Sequence, residues 1–392
     1  MPEKRYATLD SAFLPLRWRI LRAPFLPLLS KNSSAMHLTL FVPDLLWPDM
    51  EQTTAFDFTG ADRLASVLSR AEMTQTPMDR TTSWESRLAT LFGFSDTHPP
   101  LAALRSLGDG LAPADSWLCT DPVNLDFVQQ SLVLSPIAAD TLTDADVGLL
   151  LNSLNEEFAG QGRFVAGPDQ TNACHWYFIP EGNRSVLPDL AACSRLAGRR
   201  IDADETRDLL GRDGLFWINR IQMCLNDHPI NHAREAAGLP RINSLWPWGA
   251  GRLEDIPSPR FSLTQGNSVL LAGLCHATQT PIAPGSHFAP NSDHQLVTDL
   301  RLATAVVHDD LSGWQTAVSQ LMNDWIDPAY AALTDRRGAL QSLTLISPDA
   351  HYERRWTLHR SNKSVSGSLL RRWLGIGGKT PALGTLVRSW SA

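Results

Sequence analysis

Several residues in this chain stand where chemistry could be done, each at the end of an apolar or patterned run. Asp44 follows the β-prone run HLTLFV (residues 37–42) and a proline, which puts a carboxylate in the loop leaving a buried strand. A turn-forming or capping aspartate would read the same way. Asp349 and His351 stand at i and i+2, a spacing at which a carboxylate and an imidazole can share a cation, or simply decorate a loop. Arg234 lies in a segment rich in His, Asn and Trp; its guanidinium suits an oxyanion, and equally an ion pair or a helix end. Asp309 and Asp310 follow His308 at the end of a second β-prone run, LATAVVH (residues 302–308).

Other chemistries find little support. The five cysteines (Cys119, Cys174, Cys193, Cys224 and Cys275) include no CxxC pair, against both a disulfide framework and a Cys-rich zinc site. They read as reduced thiols of a cytoplasmic protein. A formal charge of -7, with no helix-turn-helix signature or basic recognition helix, argues against nucleic acid as a partner. No apolar run reaches the roughly 18 residues of a transmembrane segment. The GIGGK near the C-terminus is too short, and wrongly flanked, for a phosphate loop.

The elements that must position these residues alternate in type. With 43% hydrophobic and 19% charged residues over 392 positions, the chain can bury a large α/β core. HLTLFV, SLVLSP (131–136), HWYFIP (175–180), LATAVVH and SLTLIS (342–347) read as strands. Residues 62–71, 83–94, 143–158 and 206–226 read as helices, the last with a break at Gly214. In residues 143–158, Thr143 can cap and Val147, Leu150, Leu151 and Leu154 form an apolar face. Ser268 to Ala277 forms a further buried element, and an amphipathic helix runs up to Pro328. This alternation predicts a mostly parallel central sheet flanked by helices, with a small inserted α/β subdomain. The domain boundaries expected are an N-terminal extension over 1–35, poorly ordered, with Met36 as the favoured start of translation. A core follows over 36–111 and 186–360, with the insert over 112–185 and a loosely attached tail over 361–392.

Residues 228–251, HPINHAREAAGLPRINSLWPWGAG, carry His228, Pro229, Asn231, Arg234, Gly238, Asn243, Trp246, Trp248, Gly249 and Gly251 in a fixed order. That order resembles the His-Pro-x-Asn, Arg, Gly, Asn, Trp-x-Trp-Gly-x-Gly series of archaeal-type cofactor-independent phosphoglycerate mutases. DSWLCTDPVNL (115–125) and Ala-Gly-Pro-Asp at 166–169 resemble that family's inserted domain, so the resemblance spans residues 36 to about 359. WLCTDPVNL, INRIQMCLNDHPIN and NSLWPWG resemble more closely still a bacterial branch of RpfE-type regulatory proteins.

The resemblance implies an alkaline phosphatase-like core, a two-metal site holding Mn2+, Zn2+ or Mg2+, and a Ser or Thr nucleophile. Carried over position by position, it implies Asp44 as the first metal-binding aspartate and Ser83 or Ser86 as nucleophile, without the glycine the family places before it. It implies Asp309 or Asp310 as a second ligand, with Gly313 and Trp314 where a histidine would follow. An adjacent Asp-His pair becomes Asp349-Ala350-His351, and His359 is the candidate final histidine. For ligand binding it implies Asn231, Arg234, Asn243, Trp246, Trp248 and Arg220. Cys119 and the residues around His175-Trp176 replace arginines of the inserted domain. A kept framework with eroded ligands implies a pseudoenzyme, a binding or regulatory protein for a phosphorylated small molecule or a protein partner. The alternative is an active metal-dependent phosphomutase or phosphatase.

Overall fold

The computed structural model describes residues 35–360 and 382–391, apart from 49, 51–57, 129–130, 170–172, 183–187, 286, 290–291 and 336. The expectations for residues 1–34 and 361–381 fall outside the described residues. In chain order the structure begins with β1 (Met36–Phe41), α1 (Thr59–Leu68), β2 (Glu72–Pro77), α2 (Trp84–Phe92) and α3 (Leu101–Gly108). A second group follows: β3 (Trp117–Val128), β4 (Ser131–Pro136), α4 (Asp144–Glu157), β5 (Gly162–Ala166), β6 (Trp176–Pro180), α5 (Cys193–Leu196) and β7 (Arg200–Ile201). Next come α6 (Ala203–Leu225), α7 (Pro229–Ala236), β8 (Ser244–Gly251), β9 (Leu263–Gln265), α8 (Val269–Thr278), β10 (Ile282–Ala283) and β11 (His294–Thr298). The chain closes with α9 (Arg301–Val307), α10 (Leu311–Leu321), α11 (Asp327–Thr334), β12 (Leu340–Pro348), β13 (Tyr352–His359) and α12 (Leu383–Ser391).

Seven strands form the main sheet in the order β10-β9-β11-β1-β12-β13-β2. The five from β10 to β12 are parallel, and β13 and β2 are antiparallel additions. β1 is central, with Leu38, Leu40 and Phe41 buried between helices on both faces. A mixed α/β fold with a mostly parallel sheet is therefore what the chain adopts. The second sheet, β5-β6-β3-β4-β7 with β8 also on β3, is antiparallel throughout. Residues 112–185 supply β3 to β6 of it, and β7 and β8 join from later in the chain.

Most patterned runs become the elements they predict. α4 begins at a capping box between Thr143 and Asp146, with Val147, Leu150 and Leu154 buried. Three places differ. LATAVVH is helix α9, not a strand: Asp299 Oδ1 accepts from the Arg301 amide at its start, and the small side chains of Ala303 and Ala305 let it pack closely. The strand of that region is β11, just upstream. The polar run after residue 72 holds β2, whose polarity suits the exposed edge of a sheet. The break in α6 falls at Gly211, with φ 55°, rather than at Gly214. The end of the expected loose tail forms α12, with Leu383, Leu386 and Val387 buried and Trp390 against Trp356.

α3 is buried on all sides, between α8 and the second sheet. Its approach to α8 is possible only because two glycines face each other's helices. A Cβ on Gly273 would lie 1.7 Å from the Leu104 carbonyl oxygen, and one on Gly108 would lie 2.0 Å from that of Val269. Gly273→Ala should therefore destabilise the protein by about 2 kcal/mol or more in urea unfolding. A Gly→Ala change in an exposed helix interior would instead gain up to about 1 kcal/mol.

Candidate functional site

The parallel strands of the main sheet end in polar residues. β1 leads to Asp44, β9 to Gly266 and Asn267, β11 to Thr298 and Asp299, and β12 to Asp349. In open α/β sheets ligands bind outside this carboxyl edge, because there the loops diverge and leave a crevice. A cavity of about 1130 Å³ lies along part of that edge, walled on the far side by the second sheet. Gly266, Ser268, Thr298, Asp299 and Arg301 line it from the main sheet, and Arg105, Asp121, His175 and Trp248 from the opposite wall. Glu85 and Ser194 close one end.

The far wall is built around Arg105, which α3 presents to β3, β6 and β8. Its Nη1 and Nη2 donate to the two oxygens of Asp121 at 2.9 and 2.6 Å, Nε donates to the Tyr177 hydroxyl at 3.1 Å, and Nη2 also reaches the Trp176 carbonyl. The guanidinium lies 4.8 Å from the Tyr177 ring centre and 5.1 Å from that of Trp248. Trp248 Nε1 donates to Asp121 at 2.8 Å. Tyr177 in turn donates to Asp109 at 2.5 Å, and that fully buried carboxylate also meets His175 Nδ1 at 3.1 Å. With Nδ1 held, Nε2 is the His175 nitrogen left for a ligand.

The main-sheet wall carries a second matched set of charges. Arg301 donates to both oxygens of Asp299, at 2.5 Å from Nη2, and through Nη1 to Asp324 at 3.1 Å and Gln320 at 2.9 Å. A guanidinium thus lies between Asp299, just past β11, and Asp324, in the helical turn after α10. The carboxylate that follows a strand here is Asp299, after β11, whereas Asp309 and Asp310 lie in the turn between α9 and α10. Asp309 has φ 52°, and Asp310 caps α10 by accepting from the Gly313 amide at 2.8 Å.

The remaining expected residues divide between the site and the scaffold. Ser83 and Ser86 cap α2: the Ser83 hydroxyl accepts from the Ser86 amide, and the Ser86 hydroxyl accepts from the Ser83 amide and donates to its carbonyl at 2.7 Å. Glu85 between them is buried and accepts from Ser194 Oγ at 2.8 Å; burial pushes its carboxyl above the usual range. Asn231 is fully buried, donating to the carbonyls of Leu225 and Ile242 and accepting from the Ile242 amide. Arg234 donates to Pro240 and Thr141, and Asn243 pairs with the main chain of Leu125 on both sides. Arg220 holds Glu157 and Gln161 and lies over Phe158 at 4.1 Å. Trp246 donates to the Ala191 carbonyl, so Trp248 is the residue of the segment 228–251 that lines the cavity.

Asp44 and Asp349 do come together. The Asp44 amide donates to Pro348, and Trp314 Nε1 donates to the Asp44 carbonyl at 3.1 Å. Asp349 accepts from the amides of His351 and Tyr352 and pairs with Arg354. The His351 side chain is exposed in the turn before β13. His359 pairs in register with Ser342, which pairs with His37 at the start of β1, so it sits at the opposite edge of the sheet from Asp44. Among the described residues no three His, Cys, Asp or Glu side chains gather where they could hold one ion, so the donors here do not fit a two-metal centre. Sequence reasoning missed Arg105, Asp109 and Arg301. The signal that could have found Arg301 was Asp299 closing a strand in QLVTDL.

No protein-family model matches the chain, and no curated protein matches it. A cofactor-independent phosphoglycerate mutase from Thermoplasma acidophilum DSM 1728 aligns with a TM-score of 0.36 at 13% identity, over 85% of this chain and 91% of that one. The PH0037 protein from Pyrococcus horikoshii aligns with a TM-score of 0.39 at 12% identity, over 83% of this chain and 88% of the other. No described helix is long and apolar enough to cross a membrane.

Asp44 provides a pH signature. Burial, and then the nearby Asp349 charge, push its carboxyl from 3.8 up to about 7. The folded protein therefore holds a proton that the unfolded chain releases between those values, and stability falls as pH rises through that window. Glu85 acts in the same direction, so the comparison must be between variants. In urea unfolding, the stability of Asp44→Asn relative to the parent should rise from about pH 4 to about pH 7 and level off above. A difference that is flat across this range contradicts the assignment.

Proposed function

We propose that this protein is a catalytically degenerate relative of cofactor-independent phosphoglycerate mutases, which binds a phosphorylated small molecule in the cavity and acts as a binding or regulatory protein. The observation that carries this reading is Arg301 held between Asp299 and Asp324. The carboxylates of Asp299, just past β11, and Asp324, in the helical turn after α10, would otherwise repel, and here the chain's own guanidinium neutralises them. The capping roles of Ser83 and Ser86 support it further, since both side chains are committed to the start of α2. The segment 228–251 supports the kinship, and a regulatory role of the RpfE type belongs to the same proposal.

The second reading is an active metal-dependent phosphomutase or phosphatase. What favours it is the Asp44–Asp349 pair, whose mutual repulsion a Mn2+, Zn2+ or Mg2+ ion would relieve. Against it, Asp349 already serves Arg354 and two amides.

The two readings separate on the purified protein, by metal analysis and by 3-phosphoglycerate turnover with added Mn2+. Binding of 3-phosphoglycerate without conversion, with or without Mn2+, is the expected result. Conversion that Asp44→Ala abolishes would overturn the degenerate reading.

A further inference from the structure

The cavity is larger than a phosphoglycerate-sized ligand requires. Pockets of about 300–1000 Å³ already bury drug-sized molecules, and this one reaches about 1130 Å³. A three-carbon phosphate ester would leave most of that space to water. Water fills an apolar space poorly, because each ordered molecule needs about two to four polar partners.

Much of the wall is apolar. Trp84 opens α2, Pro136 ends β4 and Val269 opens α8, while Leu300 precedes α9 and Val307 ends it. All five line the cavity and are half-buried, so they offer carbon to whatever occupies it. They come from both layers, Pro136 from the second sheet and Val269, Leu300 and Val307 from the side of the main sheet. A group lying between the layers therefore has apolar neighbours on both sides.

Charge offers a ligand less. The two guanidiniums on the wall are already ion-paired, Arg105 to Asp121 and Arg301 to Asp299 and Asp324. Burial holds the Glu85 carboxyl above its usual range, toward its neutral form. Affinity in such a space comes mainly from apolar surface taken out of water.

We infer that the ligand of this cavity carries a bulky apolar body, which makes it a phosphate ester of an aryl-sized alcohol rather than a three-carbon phosphoglycerate. The apolar body lies between the two layers, against Leu300 and Val307. This rests on the reading of the cavity as a site for a phosphorylated small molecule, but it needs neither catalysis nor a metal ion.

The test uses the full chain in EDTA, so that no metal-dependent turnover consumes the esters. Methyl phosphate, phenyl phosphate, 1-naphthyl phosphate, 1-naphthol and 3-phosphoglycerate are titrated separately by calorimetry. Affinity should rise at least about tenfold from methyl to 1-naphthyl phosphate, with 3-phosphoglycerate binding more weakly than the naphthyl ester. The heat capacity change on binding should become more negative along the same series. Leu300→Ala and Val307→Ala should each weaken 1-naphthyl phosphate by about threefold or more and leave 3-phosphoglycerate nearly unchanged. If either variant fails to fold, as judged by its Tm, the series on the parent decides. Methyl phosphate binding as tightly as the naphthyl ester would overturn the inference. So would naphthyl binding that both folded variants leave intact, since the aryl group would then sit elsewhere, or no binding of any probe. If 3-phosphoglycerate binds more tightly than 1-naphthyl phosphate, the phosphorylated-ligand reading stands and the bulky ligand falls. If 1-naphthol binds as tightly as its phosphate and both variants weaken it, the apolar body stands and the phosphorylated character falls.

Discussion

Arg105 carries its charge almost wholly out of water, with 8% of its side chain exposed, so every donor it presents needs an acceptor already in position. Asp121 from β3, the Tyr177 hydroxyl and the Trp176 carbonyl from β6 answer that need, and Trp248 from β8 stacks on the guanidinium and shares Asp121. Three strands of the second sheet are thereby held to one helix through one side chain. The wall of the cavity is the outer surface of this arrangement. Asp109, one residue past the end of α3, extends it to His175. Losing either charge would leave the other buried alone, which is the costly half of a buried ion pair.

Charge matching of this kind recurs across the cavity. Arg105 is matched by Asp121, and Arg301 by Asp299 and Asp324. Glu85, with burial raising its pKa, is held toward its neutral form. A cavity so neutralised gains little from long-range attraction of a charged ligand and depends on short-range fit. Selectivity then falls to short-range donors and acceptors such as His175 Nε2.

The fold class was legible in the sequence because several of its strands and helices are patterned by burial. HLTLFV, SLVLSP and SLTLIS are strands with buried positions, and α4 announced its own cap. The exceptions have physical reasons. β2 is an edge strand and so carries no apolar run, and LATAVVH takes its helix from the Asp299 start and close-packed alanines. The site was less legible. The segment 228–251 is recognisable by residue type, but Asn231, Arg234 and Asn243 bond to main-chain groups and brace the strand that delivers Trp248. Polar residues bracing a backbone and polar residues awaiting a ligand look alike in one dimension. Arg105 sits in LAALRSLG, where nothing but three-dimensional neighbours distinguishes it from a surface arginine.

The close crossing of α3 and α8 also bears on how the cavity can move. On one side of α3 the two glycine contacts bring its backbone against α8, and on the other Arg105 fastens it to the second sheet. Neither contact can slide, since one has no spare volume and the other no spare hydrogen bond. Swinging the two layers apart about a hinge would break one or the other. The cavity therefore behaves as a socket of set width rather than a jaw. Ligand exchange runs through its open side, and occupancy is governed by side-chain and loop adjustments instead of closure of one layer on the other.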